Sequence, residues 1–104
     1  MKNQKQYLGE QISFEVKLLF ISVDSANDQL LDIKRDLKEK FDQVLVHYDL
    51  SDEVSDTGVD CVGIRLELFK NIPVSTPKER REAWSNAAKI LKKYKTLGLE
   101  IIPW

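Results

Sequence analysis

The sequence predicts an α+β sandwich, in which two helices cover one face of a four-stranded antiparallel sheet. Three observations lead there. Four short segments, read with period two, each offer one strongly apolar and one mixed face. Two longer segments place apolar residues at spacings of three and four. The six follow one another as strand–helix–strand, strand–helix–strand. Right-handed crossovers then bring both helices to the same side of the sheet.

The first strand is "QISFEVKLLFISV". Ile12, Phe14, Val16, Leu18 and Phe20 lie on one side and Ser13, Glu15 and Lys17 on the other, with both faces apolar towards Ile21. "DSANDQLLDIKRDLKEKF" follows as an amphipathic helix. Its stripe is Ala26, Leu30, Ile33, Leu37 and Phe41, and Asp24 or Ser25 is the expected N-cap. "QVLVHYDL" is the second strand, with Val44, Val46 and Tyr48 alternating against Leu45 and His47. The acidic stretch "SDEVSDTGVD" reads as a connector. In the third strand, "CVGIRLELF", Val62, Ile64, Leu66 and Leu68 face one way and Cys61, Arg65 and Glu67 the other.

The second helix carries the strongest local signal. Thr76 caps it, Pro77 occupies its first position and Glu79 completes a capping box. Ala83, Ala87, Ile90, Leu91 and Tyr94 form its stripe, and Gly98 is expected to supply a left-handed residue at its end. "LEII" closes the sheet as a fourth strand, stopped by Pro103. The expected strand order is 4-1-3-2, that of a split βαβ or ferredoxin-like sandwich. Residues 1–10 form a polar segment expected to fray, and residues 11–104 a single domain. The topology carries no function with it.

Composition excludes several classes. With 42% apolar and 32% charged residues, the chain is too apolar for a disordered protein. Its longest apolar run, around Leu18 to Ile21, is too short to span a bilayer. The first residues carry positive charge without an apolar core, so no secretory signal is expected. The lone Cys61 can form neither an internal disulfide nor a cysteine-based zinc site. A cytoplasmic setting is the expectation.

Asp56-Thr57-Gly58 matches the tripeptide that bears the catalytic aspartate of aspartic proteases. That loop follows a hydrophobic strand in an almost all-β fold, whereas here a polar run precedes it and helices are abundant. The tripeptide is read as a turn in which Gly58 takes a positive φ. The connector acids Asp49, Asp52, Glu53, Asp56 and Asp60 also fail as an EF-hand: with Gly58 at position six, Thr57 and Ile64 fall at ligand positions five and twelve. No metal and no cofactor are expected.

Charge is unevenly distributed. Residues 21–60 sum to −7 and residues 61–104 to +5, within a net charge of −1. Asp28, Asp32, Asp36, Glu39 and Asp42 cluster opposite the stripe of the first helix. Lys78, Arg81, Lys89, Lys92 and Lys93 do so on the second. The uncovered sheet face presents Glu15, Lys17, His47, Arg65 and Glu67, with Cys61 and Glu100. It lacks the base-stacking aromatics of RNA-recognition domains, because Phe14 and Phe20 face the core, and nucleic acid is not the expected ligand.

Two functions compete. The first is a non-catalytic, immunity- or inhibitor-type module that neutralises a basic protein such as a nuclease toxin through acidic steering. Its contacts would be Asp32, Asp36, Glu39, Tyr48, Asp49, Asp52, Glu53 and Asp56. The second is a small-ligand or regulatory module, or a minor enzyme, that uses Glu15, Lys17, His47, Arg65 and Glu67 on the open face. Either suits a monomer or a homodimer.

Overall fold

A computed structural model of the chain describes residues 9–103. Six elements follow in order: β1 (Glu10–Phe20), α1 (Val23–Lys38), β2 (Gln43–Val54), β3 (Asp60–Ile72), α2 (Pro77–Leu91) and β4 (Gly98–Pro103). The strands form one antiparallel sheet in the order β2-β3-β1-β4. This is the ferredoxin-like βαββαβ sandwich that the alternation predicts. The fraying expected of residues 1–10 falls mostly on residues 1–8, outside the described residues. Glu10 already belongs to β1, and its carboxylate accepts the Ser75 backbone N–H.

The core is the sum of the stripes. Ile12, Phe14, Val16, Leu18 and Phe20 are buried along β1, and Ile64, Leu66 and Leu68 along β3. The register sets them side by side, with Phe14 opposite Leu68, Val16 opposite Leu66 and Leu18 opposite Ile64. Above them lie Ala26, Leu30, Ile33 and Leu37 of α1 and Ala83, Ala87 and Leu91 of α2. Phe41, just past α1, meets Phe14 edge-on with ring centres 5.7 Å apart.

Helix ends differ from expectation in two places. The α1 cap is Ser22, one turn before the chain could use Ser25. Its extended backbone (φ −158°) breaks from β1, and its hydroxyl accepts the Ser25 N–H at 3.1 Å. At α2, Thr76 caps as predicted and accepts the Glu79 N–H at 3.1 Å, with Pro77 in the first turn. The far end of α2 closes on Lys92 in right-handed conformation, not on Gly98. Gly98 instead opens β4 opposite Leu19, where a Cβ would lie 2.9 Å from Leu19 Cδ1. An alanine there would have to displace the end of the Leu19 side chain.

The largest difference concerns the acidic connector, half of which is strand. Pairing of β1 with β3 ends at Phe20–Val62, but β2 and β3 continue pairing to Val54–Asp60. The result is a two-stranded arm that runs past the end of β1. Between the pairs His47–Arg65 and Ser51–Gly63, residues 48–50 of β2 face Ile64 alone. This bulge breaks the alternation of β2, and Tyr48 is 68% exposed. No helix among the described residues is long and apolar enough to cross a membrane.

Candidate functional site

The arm is built from its tip. Ser55 donates its N–H to the Val59 carbonyl and accepts the Gly58 N–H on its own carbonyl, both at 2.9 Å. Its hydroxyl accepts the Val59 N–H and bonds Thr57 Oγ1, each at 3.1 Å. Gly58, at φ 81°, is the only described residue with positive φ. Asp56-Thr57-Gly58 is therefore the tight end of a hairpin, pinned by one buried serine. Asp56 stands exposed at that end.

Down the sides of the arm, Asp49, Asp52 and Asp60 are exposed. Between them Tyr48, Leu50, Val54 and Val59 are exposed too, and Ile21, Val23 and Leu97 adjoin the base of the arm. Leu97 is held there by its N–H bond to the Leu19 carbonyl, at 2.7 Å. These residues make up seven of the ten exposed large apolar side chains among the described residues. Carboxylates and apolar anchors are thus interleaved on one projection.

Glu53 belongs to the arm but faces the open side of the sheet. It accepts from Lys17 Nζ at 2.8 Å and from the Ser51 hydroxyl at 2.7 Å. The Lys17 bond, then the Ser51 bond, hold its carboxyl below the ordinary value. The pair spans a whole strand, because Gly63 of β3 lies beneath it. A Cβ at Gly63 would come within 2.9 Å of Ser51 Oγ, 3.0 Å of Glu53 Cγ and 3.1 Å of Lys17 Cε. The missing side chain is what lets β1 and the arm be tied together. Beside this tie, a cleft of about 420 Å³ opens between arm and β4, lined by Lys17, Leu19, Glu53, Asp56, Leu97 and Glu100 among others.

The structure brings together the open-face residues named from sequence and engages them with one another. Glu15 and Glu67 stand directly opposite across β1 and β3, an arrangement that like charges disfavour. Each has a polar partner on a neighbouring strand. Arg65 Nη1 lies 3.5 Å from Glu15 Oε2, and the His47 Nε2–H donates to Glu67. Cys61, across from Glu53, is buried. Among the described residues, no group of His, Cys, Asp and Glu side chains converges in a way that could hold a metal ion.

The acids of α1 form a surface separate from the arm. Asp32, Asp36 and Glu39 lie towards the helix end that leads into the start of β2, whereas the arm grows from the end of β2. Two of the three have partners. Arg35 lies 3.0 Å from Asp32 and 3.6 Å from Asp36. The Tyr94 hydroxyl also donates to Asp36 and lowers its carboxyl, with Arg35 adding to the effect. Burial, reinforced by Asp36, pushes the Tyr94 phenol up to about 12. Asp42 is spent on the fold, accepting the Asn71 N–H at 2.6 Å. The basic face of α2 is exposed at Lys78, Arg81, Lys89, Lys92 and Lys93. Of these, Lys93 acts on Asp36 from a distance.

Sequence reasoning missed Leu50, Val54 and Val59 as surface features. The available signal was the "SDTG" turn flanked symmetrically by valines, which reads as a hairpin tip once the connector is allowed to be strand.

No protein-family profile matches the chain, and no curated protein matches its sequence. Among solved structures it is similar to "De novo designed protein Foldit4", at 11% identity and a TM-score of 0.47. That likeness covers 91% of this chain and 99% of the other. It is also similar to "De novo designed protein Ferredog-Diesel", at 14% identity and a TM-score of 0.35, over 97% and 92% of the two chains. Neither likeness bears on function.

Proposed function

We propose that the chain is a non-catalytic protein-binding module that docks its β2–β3 arm on a basic partner, in the manner of an inhibitor seated in the cationic cleft of a nuclease. The observation that carries this reading is the arm itself, with Asp49, Asp52, Asp56 and Asp60 exposed among Tyr48, Leu50, Val54 and Val59. Apolar anchors supply buried contact, and the surrounding carboxylates steer and align a cationic surface. A stiff hairpin loses little freedom on binding, and the Ser55 turn and the Lys17–Glu53 tie provide that stiffness. The arm displaces Asp32, Asp36 and Glu39 as the centre of the surface, since two of these are engaged with Arg35 and Tyr94. The open face favours the alternative less, because its polar side chains already pair across strands. A reducing, cytoplasmic setting suits the single thiol.

The test is affinity capture of basic proteins by the tagged chain, run in parallel with the variant D49N/D52N/D56N/D60N and with D32N/E39Q. A partner held by the wild type and by the α1 variant, lost from the arm variant and weakened by salt, supports the reading. Capture that depends on the α1 acids or on His47 and Arg65 overturns it.

A further inference from the structure

The arm is not the only charged surface with unpaired side chains. Another is the outer face of α2, where Lys78, Arg81, Lys89 and Lys92 are exposed. Among the described residues, none of these four has an ion-pair partner within 4 Å. Of the acids of α1, Asp32 and Asp36 are turned to Arg35 and Tyr94 instead. The outer face of α2 therefore keeps four unpaired cations against one exposed carboxylate, Glu82, and remains net positive for an external anion.

We infer that this face is a docking surface for the acidic arm of a second copy of this chain. The inference rests on the arm being a docking element, as proposed above, and names one partner for it.

Three features favour this occupant. The charges are complementary in sign and similar in number, with Asp49, Asp52, Asp56 and Asp60 on one surface and Lys78, Arg81, Lys89 and Lys92 on the other. They are similar in extent. Lys78 to Lys92 covers about 21 Å of helix, and Asp49 to Asp56 about 20 Å of strand and turn. The apolar residues of the arm also find cover, because lysine and arginine stems pack on apolar surface and their heads stack on a ring such as Tyr48. Arm against arm would set aspartates against aspartates, and α2 against α2 would set lysines against lysines. Only the crossed contact attracts. Two different patches meet in it, so the assembly is either head-to-tail or a reciprocal pair in which each arm grips the other's α2.

The experiment uses the full chain alone. Sedimentation velocity is run over a concentration series at about 20 mM and about 500 mM salt, conditions that separate screened from unscreened attraction. The expected result is a weight-average mass that at least doubles over the monomer at low salt and returns to it at high salt. Two variants neutralise one surface each, D52N/D56N/D60N for the arm and K78Q/K89Q/K92Q for α2. All six positions are exposed, and circular dichroism checks that both variants fold. Each is expected to stay monomeric alone, and their mixture to regain a complex, because each retains the surface the other lacks.

A wild type that stays monomeric at low salt and at its highest concentration overturns the inference. So does association that either variant leaves intact. Binding of a fluorescent single-stranded oligonucleotide to the α2 face of a monomeric wild type would assign that face to phosphate and overturn it as well. A monomeric wild type whose capture of a foreign basic protein still requires the arm acids would end this inference and leave the proposed function standing.

Discussion

Tyr94 shows how one hydroxyl redirects a whole surface. By donating to Asp36 it lowers that carboxyl and ties the loop after α2 to α1. Gln29 reinforces the tie from the same helix, exchanging bonds of 2.8 and 3.1 Å with the backbone of Lys95. Tyr94→Phe is expected to lower the urea midpoint at neutral pH and to let Asp36 titrate closer to its ordinary 3.8. Because Asp36 binds its proton more weakly folded than unfolded, its contribution is complete above about 3.8 and is lost as pH falls through its lower folded value. The midpoints of Tyr94→Phe and wild type should therefore converge in acid. Tyr94 acts at the other limit. Its folded value of about 12 lies above the ordinary 10.0, so the stability it contributes is present below pH 10.0 and disappears as pH rises through about 12. Gly63→Ala offers a second residue-level test. The added methyl must displace Ser51, Glu53 or Lys17, and an NMR titration should show the Glu53 carboxyl moving up towards 4.5. An unmoved Glu53 would mean that Gly63 plays no part in the tie.

At the scale of elements, caps and turns can be tested one bond at a time. Thr76→Ala removes the acceptor for the Glu79 N–H and should cost about 1 kcal/mol in denaturant unfolding. Ser22→Ala tests the cap that sequence reading misplaced, and a similar loss is expected only if Ser22, not Ser25, is the acceptor. In the arm, Gly58→Ala forces a Cβ into left-handed backbone and should cost about 1–2 kcal/mol of hairpin stability. Hydrogen exchange is the suitable readout, since the loss should concentrate in residues 53–61 beyond the end of β1. The arm has no third strand there, and a two-stranded ribbon stands only with help from its turn and its ties.

For the molecule as a whole, core and charge play separate parts. Leu66, at the centre of β3 and fully buried, is expected to cost about 2–5 kcal/mol when truncated to alanine. Exposed arm acids should hardly affect unfolding. Neutralising Asp49, Asp52, Asp56 and Asp60 is expected to leave the urea midpoint nearly unchanged, to slow association with a basic partner and to flatten its salt dependence. Stopped-flow association rates against ionic strength measure this directly, and identical slopes for variant and wild type would remove electrostatic steering from the account. Charge is segregated as well, with exposed acids on the arm and exposed lysines on the outer face of α2.

Sequence alone determined the parts whose pattern is local. The alternation of Ile12 to Phe20, the stripes of both helices, the Thr76–Pro77 start of α2 and the positive φ of Gly58 follow from periods and from the needs of single residues. So does the sheet order, because right-handed crossovers leave little choice once the element order is known. Tertiary structure decided what depends on partners distant in sequence. Glu53 and Val54 are strand because β3 continues beside them after β1 has stopped, and no local propensity in "SDEV" reports where β1 stops. Tyr48 is outside because a bulge moves it, and Asp36 is occupied because Tyr94 reaches it across 58 positions of chain. Gly63 and Gly98 are glycines for what passes over them, Lys17 with Glu53 in one case and Leu19 in the other. Which charges remain free to bind depends on such long-range pairings, and these form only when the chain has folded.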